Sequence, residues 1–362
     1  MKITNLKGYA LEVPAKPFEW RKGIGRGNIQ KLFLLRLITD VGLEGIVLIP
    51  YDGIILCQVL EKSFKYIIGE DPLNREYLWG KNWYLNRIIR IPIDARGIID
   101  LALWDLGAKY ANLPLYKFVG AAREKIKAYA STFTYFNMND YRKVIEKSLE
   151  QGYKAIKLHV TGDVKKDIEI CKFARDIVGD DIELMLDSSG AYNHREAFWA
   201  GKQLEKLDYH WFEEPIRDYD LYGLKELNNK LNIPLAVAET TIDSHFDAAN
   251  HIINQTADII LTDWRIKSGL TSVLKTAHLC ESFGITCQIH GFGLANLHSA
   301  LSIINTEYYE ALVPVEINHF LQINPPISVD KDGYVYPPDR PGIGEEIDWK
   351  QVKKYTLKEV II

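Results

Sequence analysis

The fold of this 362-residue chain is most constrained by a repeat that begins near residue 125. Each unit of the repeat consists of a short apolar strand, a polar turn and a helical segment. Eight strand-like runs follow that order: IKAYAST, KAIKLHV, IELMLD, YHWFEE, PLAVAE, ADIILTD, ITCQIH and YYEALV. Strands that alternate with helices form parallel sheets, and eight such strands are enough to close a barrel. The sequence therefore predicts an α/β barrel over residues 125–325, after which the repeating order stops.

The part of the chain before the barrel has a mixed pattern. Residues 31–49, KLFLLRLITDVGLEGIVLI, contain two strand-like runs around Gly42, and residues 94–111, DARGIIDLALWDLGAKYA, have helical periodicity. Residues 16–28, KPFEWRKGIGRGN, predict a mobile loop and not a dinucleotide-binding motif, because no strand leads into the Gly-x-Gly. The turn-rich tail is expected to return to the N-terminal region.

Three carboxylates follow the barrel strands at a constant interval. Asp187, Glu213 and Glu239 each end a strand-like run, and each lies 26 residues after the one before. Residues at this position of successive parallel strands meet at the carboxyl rim, where barrel enzymes build their active sites. The alternative is that each acid caps the following helix or pairs with a neighbouring Lys or Arg. Convergence of three instead favours a hard divalent cation, magnesium or manganese, held by oxygen ligands.

Two basic residues alternate on the strand before the first of these acids. In GYKAIKLHV, Lys157 and His159 lie on the face opposite Ile156 and Leu158. In a buried parallel sheet this face points into the barrel, where charge is costly and needs a partner or a role. We expect Lys157 to approach a substrate oxygen and His159, nearer the rim, to lie where an acid or base could act. The alternative is an internal salt bridge and a packed histidine.

A second group of ionisable residues follows the later strands. Asp263 ends the sixth run, His290 ends the seventh and Glu310 lies in the eighth. Neighbouring strands are about 4.8 Å apart, so we expect the carboxylate of Asp263 to reach the imidazole of His290 and fix its tautomer. The other histidines, including His210 and His298, have no comparable partner in the pattern, and we interpret them as packing or surface residues.

Composition excludes several classes of protein. A net charge of −4 and the absence of a basic run argue against nucleic acid as a partner. No run approaches the roughly 18 apolar residues of a membrane span, and the N-terminus lacks the apolar stretch of a signal peptide. The four cysteines form no CxxC pair, which predicts reduced, mostly buried thiols. We therefore expect a cytoplasmic protein that does not bind membranes.

Four further segments carry a family resemblance: TDVGLEG, GIIDLALWDLGAKYANLPLYKFVGA, WFEEPI and DRPGIGEEID. In this order along the chain they resemble the enolase superfamily, specifically its mandelate racemase group. The resemblance implies a modified TIM barrel, (β/α)7β, under an α+β capping domain. By this likeness residues 1–124, completed by residues 326–362, would form the cap, and residues 125–325 the catalytic barrel. It also implies bound Mg²⁺, removal of a proton α to a carboxylate, and a homo-oligomer.

The resemblance assigns roles to the same residues. Asp187, Glu213 and Glu239 match the metal ligands. Asp263 and His290 match the catalytic dyad of the mandelate racemase group, Glu310 matches the acid that faces the substrate carboxylate, and Lys157 matches the first lysine of the Lys-x-Lys motif. The chain departs from the family in three places, which argue against mandelate as the substrate: His159 stands at the second lysine, Ser189 at a frequent Asn, and Ser268 at one glycine of a pair.

These features lead to a hypothesis of function. We expect a lyase, a hydro-lyase that dehydrates a sugar acid (aldonate or aldarate) to a 2-keto-3-deoxy acid, with Lys157, His159, Asp263, His290 and Glu310 in the catalytic group. Racemisation or epimerisation of a 2-hydroxy acid is the alternative, and a non-catalytic binding barrel is a further one. A metal-dependent hydrolase is disfavoured because the first strand offers no histidine ligand.

Specificity is expected to come from the cap. In the related fold, N-terminal loops close over the barrel mouth, which makes Trp20, Arg21 and Tyr51 candidates for contact with a small-molecule carboxylate substrate. The alternative is that all three are solvated loop residues.

Overall fold

The computed structural model describes residues 1–21, 24–241, 244–313, 321, 323–324 and 326–362, without the side chains of residues 18–21, 24 and 26. Its first part contains five strands, four helices and a 3₁₀ turn at Lys65–Ile67. The strands are β1 (Ile3–Pro14), β2 (Phe18–Arg21), β3 (Ile24–Arg26), β4 (Ile29–Thr39) and β5 (Glu44–Ile49). The helices are α1 (Gly53–Ser63), α2 (Arg75–Ile89), α3 (Ile93–Tyr110) and α4 (Leu115–Val119).

The second part alternates strand and helix, as the sequence predicts. Its strands are β6 (Ile126–Ser131), β7 (Ala155–His159), β8 (Glu183–Asp187), β9 (Trp211–Glu213), β10 (Leu235–Val237), β11 (Ile259–Thr262), β12 (Thr286–Ile289) and β13 (Tyr308–Leu312). Its helices are α5 (Met138–Glu150), α6 (Val164–Val178), α7 (His194–Lys206), α8 (Leu221–Asn228), α9 (His245–Asn254), α10 (Leu270–Ser282) and α11 (Leu294–Ser302). The chain then forms β14 (Tyr334–Val335), α12 (Trp349–Tyr355) and β15 (Thr356–Ile361).

The parallel strands form a nearly closed barrel in the order β12-β11-β10-β9-β8-β7-β6-β13. Seven helices separate its eight strands, so the (β/α)7β architecture is confirmed. Between β12 and β13 the side chain of Gln288 bridges the two strands, because its Nε2 donates to the Tyr308 carbonyl at 2.9 Å and its Oε1 accepts from the Tyr308 N–H at 3.2 Å. A side chain thus completes the hydrogen bonding that the backbone ladder leaves open.

The interior of the barrel has an apolar layer below a charged one. The apolar layer is a buried cluster that includes Tyr129, Ala155, Met185 and Trp211, with the Tyr129 and Trp211 rings edge to face at 5.6 Å. Ala155 belongs to this cluster, whereas Ile156 and Leu158 pack outward against the helices. The face of β7 that bears Lys157 and His159 therefore points into the barrel, as predicted.

An antiparallel sheet in the order β15-β1-β4-β5 lies beside the barrel. The β4–β5 hairpin turns at Gly42, whose φ of 79° suits glycine. The C-terminal strand β15 pairs with β1, while β14 pairs with barrel strand β6. Residues 16–28 were predicted to be a loop, but within them β2 and β3 pair, with Phe18 opposite Arg26. The glycines that suggested a loop are compatible with so short a ribbon.

Helix α3 joins the antiparallel sheet to the barrel. A Cβ added at Gly97 would lie 2.7 Å from the Trp264 carbonyl oxygen, so only glycine permits this approach of α3 to the loop after β11. One turn later, buried Asp100 accepts hydrogen bonds from the Thr271 N–H at 2.9 Å and hydroxyl at 2.7 Å. This helix therefore packs directly against the loop that follows Asp263. None of the helices that the structure describes has the length and apolarity needed to cross a membrane.

Candidate active site

Three carboxylates converge at the carboxyl rim of the barrel, where the sequence places them. Strand register puts Asp187 beside Glu213, and Glu239 follows the end of β10. One oxygen from each of Asp187, Glu213 and Glu239 lies within 4.8 Å of the other two. Within the described residues no other group of three His, Cys, Asp or Glu side chains has this geometry.

Lys157 lies one layer below these carboxylates and is fully buried. Its Nζ donates to Glu213 Oε1 at 2.7 Å and lies 3.3 Å from Glu310 Oε1 and 3.8 Å from Asp187 Oδ2. Burial acts to lower the pKa of Lys157, but the surrounding carboxylates outweigh it and raise this pKa well above its usual value. The ammonium group stays charged and links the acids of β8, β9 and β13.

One ammonium group does not balance the negative charge of the rim. Burial raises the pKa of Glu213 to about 8, because Lys157 offsets only part of the cost and Asp187 and Glu310 repel a further charge. Burial likewise raises the pKa of Glu239. Carboxylate oxygens that lie so near one another, with too little positive charge to balance them, are suitable ligands for a hard divalent cation. Such a cation would remove the repulsion that raises the pKa values of Glu213 and Glu239.

His159 lies beside the first of the three acids. The β7–β8 register pairs it with Asp187, and its Nε2 is 2.9 Å from Asp187 Oδ2. The other oxygen of Asp187 accepts from the Ser189 N–H at 2.7 Å and hydroxyl at 3.0 Å. Burial acts to raise the pKa of Asp187, but His159 and Lys157 outweigh it and hold the pKa below its usual range.

The predicted dyad is assembled on the opposite side of the rim. His290 Nδ1 lies 3.5 Å from Asp263 Oδ2, and His290 Nε2 lies 3.3 Å from Glu239 Oε1. Burial acts to lower the pKa of His290, but Glu239, Glu310 and Asp263 outweigh it and raise this pKa to about 10. The distance to Asp263 is long for a hydrogen bond, as is common for catalytic pairs before substrate binds.

Several groups fix the carboxylate of Asp263. The Arg265 N–H donates to its Oδ1 at 2.5 Å, and Asn296 Nδ2 donates to its Oδ2 at 3.4 Å. Gly291, with φ of 81°, leaves room for both, because a Cβ there would lie 2.7 Å from Asp263 Oδ2 and 3.0 Å from Asn296 Nδ2. Asp263 is thus held from its own loop and from the first turn of α11.

Glu310 completes the rim between Lys157 and the dyad. Its Oε2 accepts from the Gly291 N–H at 2.6 Å and lies 3.9 Å from His290 Nε2. Burial acts to raise the pKa of Glu310, but Lys157 and His290 outweigh it and lower the pKa to about 2. The eighth strand therefore contributes an ionised carboxylate beside the lysine, where the sequence places it.

The adjacent Glu214 does not join the metal group. Its backbone has a φ of 42°, and its side chain points toward Thr240, whose hydroxyl lies 3.3 Å from Glu214 Oε1. Burial, with repulsion from Glu239 and Asp218, raises the pKa of Glu214 to about 12. Of the two glutamates in FEEP, the one in the 26-residue interval is therefore the one aimed at the cluster.

The predicted cap residues are only partly described. Tyr51 is half-buried in the segment between β5 and α1, and burial raises the pKa of its hydroxyl, with Asp94 and Asp52 adding repulsion. Asp94 lies 3.8 Å from Arg265 Nε, which places this group beside the loop that carries Asp263. Trp20 and Arg21 belong to β2, but their side chains lie outside the described residues.

Two features of the molecule were missed by the sequence reasoning. Asn296 touches the dyad from the first turn of the largely apolar helix α11, and only the spacing after His290 could have suggested it. His210 was interpreted as a packing or surface residue without a comparable partner, but its Nε2 lies 2.7 Å from Glu307 Oε2 at the opposite end of the barrel. His298 is a packing residue as expected, with Nε2 3.0 Å from the Ile343 carbonyl oxygen.

Known proteins share this architecture. The family described as enolase C-terminal domain-like matches residues 140–352, and the mandelate racemase/muconate lactonizing enzyme N-terminal domain matches residues 10–120. Arabinonate dehydratase of Saccharolobus solfataricus is 30% identical over 312 residues, which cover 83% of each chain.

Two solved structures extend the comparison. D-glucarate dehydratase of Agrobacterium tumefaciens, complexed with magnesium, has a TM-score of 0.92 and 30% identity, and the match covers 99% of this chain and 100% of that one. L-talarate dehydratase of Polaromonas sp. JS666, complexed with Mg and L-glucarate, has a TM-score of 0.87 and 26% identity over 100% and 99%. The chain belongs to the mandelate racemase/muconate lactonizing enzyme family of the enolase superfamily.

Proposed function

We propose that this protein is a Mg²⁺-dependent sugar-acid dehydratase, a hydro-lyase that converts an aldonate or aldarate to a 2-keto-3-deoxy acid. The observation that carries the proposal is one Asp–His dyad placed beside a three-carboxylate cluster and a buried lysine. The similarity to arabinonate and glucarate dehydratases supports the same class of reaction.

Asp187, Glu213 and Glu239 would hold the ion. Bound there, Mg²⁺ would supply Lewis acidity, which neutralises the charge that develops on the substrate carboxylate as the proton α to it is lost. The ion would also lower the raised pKa values of Glu213 and Glu239, since they arise from burial and from repulsion among the acids.

The residues around the ion would bind and orient the substrate. Lys157 would donate to the substrate carboxylate from below. Glu310, 3.3 Å from its Nζ, would face the same group from the β13 side and donate to it in protonated form, since a second carboxylate beside it would raise its pKa. This fixes the α-carbon between the dyad and β7. Orientation of this kind converts a bimolecular proton transfer into an intramolecular one.

His290 would carry out both proton transfers. Once the charge of Glu239 is neutralised by the ion, the raised pKa of His290 would fall and leave its imidazole neutral. With its Nδ1 held toward Asp263, the neutral imidazole would take the C2 proton at Nε2, and the electron pair of the C2–H bond would pass into the enediolate. The C3–O bond then breaks and the same nitrogen returns a proton to the departing hydroxyl, which leaves as water. The enol product tautomerises to the 2-keto acid, so atoms and charge balance.

The cap would set which sugar acid is accepted. We assign residues 1–124 with 326–362 to the cap and 125–325 to the barrel, a division supported by the pairing of β15 with β1, although β14 pairs with the barrel. Tyr51 would contact the distal hydroxyls of the substrate, and Trp20 and Arg21 would act from β2. If Arg21→Ala changed neither kcat nor KM on the true substrate, this part of the proposal would be wrong.

A panel of aldonic and aldaric acids tests the function. The purified chain is incubated with each acid, with Mg²⁺ or with EDTA, and 2-keto acid is measured. We expect at least one acid to give product with Mg²⁺ and none with EDTA. His290→Gln serves as the control that separates enzymatic from background dehydration. No 2-keto acid across the panel would contradict the proposal.

The family also contains a racemase, which defines the second candidate. Racemisation or epimerisation requires a base on each face of the substrate carbon, and His159 stands on the face opposite His290. Exchange of the α-proton with D₂O from both stereoisomers, without loss of water, would favour it. A non-catalytic binding barrel instead predicts that His290→Ala leaves function intact.

A further inference from the structure

The two histidines of the rim differ in what their nitrogens contact. His290 has a carboxylate near each nitrogen: its Nδ1, which is buried and makes no hydrogen bond among the described residues, lies 3.5 Å from Asp263 Oδ2, and its Nε2 lies 3.3 Å from Glu239 Oε1. Asp263 thus has the place of a carboxylate that orients a base. His159 has Nε2 at 2.9 Å from Asp187, while its Nδ1 is buried and has no hydrogen-bond partner among the described residues. His159 therefore lacks the carboxylate that would fix its tautomer for proton abstraction.

The nitrogen of His159 that faces the site is already engaged. A carboxylate only accepts hydrogen bonds, so Nε2 must carry the proton in the contact with Asp187 Oδ2. At 2.9 Å this contact commits His159 Nε2 to Asp187, whereas the nitrogens of His290 lie 3.3 Å or more from their nearest carboxylate oxygens. The buried Nδ1 does not face the open mouth, because its surface is covered by protein.

The backbone around His159 holds the ring in this position. The His159 N–H donates to the Thr132 hydroxyl at 3.2 Å, and the His159 carbonyl accepts from the Tyr141 hydroxyl at 2.6 Å. The residue that follows β6 and helix α5 thus fix the backbone position from which the imidazole reaches Asp187. Hydrogen bonds to a metal-binding carboxylate orient it, and their loss commonly weakens metal affinity by about 10–100-fold.

We propose that His159 is a positioning residue that holds Asp187 for metal binding. This inference rests on the proposed function, and it means that all proton transfer occurs on the side of the substrate that faces His290. The consequence is stereochemical. The C2 proton and the 3-hydroxyl must leave from the same side of the substrate, so the accepted sugar acids are those in which these two groups can be presented syn to His290.

Metal affinity tests the proposal without any turnover. Mg²⁺ is titrated into the EDTA-treated, dialysed full chain by calorimetry for the wild type, His159→Gln and His159→Leu. Glutamine keeps an N–H donor near the position of Nε2 but cannot act as a base, so we expect a Kd within about threefold of wild type. Leucine removes the donor, and we expect at least about tenfold weaker binding. Ser189→Ala, which removes one donor from the other oxygen of Asp187, is the matched control for a lost hydrogen bond.

Turnover and exchange provide the second measurement. We expect His159→Gln to keep dehydration and α-proton exchange within about fivefold of wild type, and His290→Gln to lose both. Configuration at C2 should be retained in the exchanged substrate. If His159→Gln lost turnover as completely as His290→Gln while its Mg²⁺ affinity stayed unchanged, His159 would be an acid–base residue and the proposal would be overturned. Wild-type Mg²⁺ affinity in His159→Leu would overturn it too.

The two proposals fail separately. The Mg²⁺ titration needs no substrate, so it decides the role of His159 even if no acid in the panel is dehydrated. Thermal unfolding of each variant in EDTA shows whether it is folded, and a variant that unfolds early is replaced by His159→Asn, which has a shorter side chain with the same donor type.

Discussion

Both ends of the barrel place histidine beside carboxylates, but water reaches the two ends to different extents. At the carboxyl rim, Glu213 is fully buried and Asp187 and Glu310 nearly so, and a single buried lysine lies within 3.8 Å of all three. At the opposite end, the side chains of His210, Glu183 and Glu307 are 35%, 43% and 42% exposed. Water screens the second group, so its charges need no ion, whereas the first group is costly without one. Burial and convergence, more than residue type, distinguish a catalytic end from a stabilising one.

The largest effect is expected from removing one charge at the rim. Glu239→Gln should lower kcat/KM by at least about 10³-fold, since the ion supplies several kcal/mol of transition-state stabilisation. Its free energy of unfolding in EDTA should stay equal to that of wild type or rise, because repulsion among the acids is relieved. Steady-state kinetics and urea denaturation measure the two quantities.

The matched control for that substitution lies at the other end of the barrel. Glu307→Gln makes the same chemical change beside His210 and should leave Mg²⁺ binding and turnover unchanged. If Glu239→Gln and Glu307→Gln lost activity equally, the conclusion that only the carboxyl rim of the barrel takes part in catalysis would be wrong.

A large loss of stability is expected from removing the shared lysine. Lys157→Met leaves the buried Glu213 without its 2.7 Å partner and should lower the free energy of unfolding in EDTA by about 3–5 kcal/mol. Lys202→Met removes an ion pair to Glu205 at the surface of α7 and should cost no more than about 1 kcal/mol. Urea denaturation of both variants makes the comparison, and similar losses would mean that burial does not separate the two pairs.

A smaller effect on rate is expected at Asn296. Asn296→Ala removes the donor to Asp263 Oδ2, so kcat should fall about tenfold, the equivalent of one hydrogen bond, with KM within about twofold. Asn296→Asp should lower kcat further than Asn296→Ala does, because it places a second carboxylate about where the Asn296 amide lies, 3.4 Å from Asp263 Oδ2. A change in KM alone would show that Asn296 binds substrate and does not position the dyad.

The smallest effect concerns pH and the far end of the barrel. The hydrogen bond to Glu307 raises the pKa of His210, although burial opposes it. The folded state therefore binds this proton more tightly than the unfolded state. The stabilisation is full below about pH 6.5, the ordinary histidine pKa, and is lost as pH rises through the folded-state pKa.

Urea denaturation across this pH range measures the effect. The difference in unfolding free energy between wild type and Glu307→Gln should be at most about 1 kcal/mol at pH 5.5 and should shrink as pH rises. A difference that grows with pH would contradict the assignment.

The sequence predicted the barrel and most of its rim because both depend on periodicity. Alternation on β7 placed Lys157 and His159 inside, and the constant interval of the acids selected Glu213 over its neighbour Glu214. What periodicity does not supply is the contact of a side chain with a residue far away in the chain. The contacts of Asn296 with Asp263 and of His210 with Glu307 each depend on how strands close into a barrel, so a pattern along the chain does not reveal them.

The contact between α3 and the loop after β11 limits which segments of this protein could be replaced by those of a relative. Because Gly97 contacts the Trp264 carbonyl and Asp100 accepts a hydrogen bond from Thr271, helix α3 fits closely against the segment that follows Asp263. A hybrid enzyme that borrows residues 1–124 from a relative would have to borrow residues 263–271 with them. Substrate preference and proton-transfer geometry would then be inherited together, as a single unit.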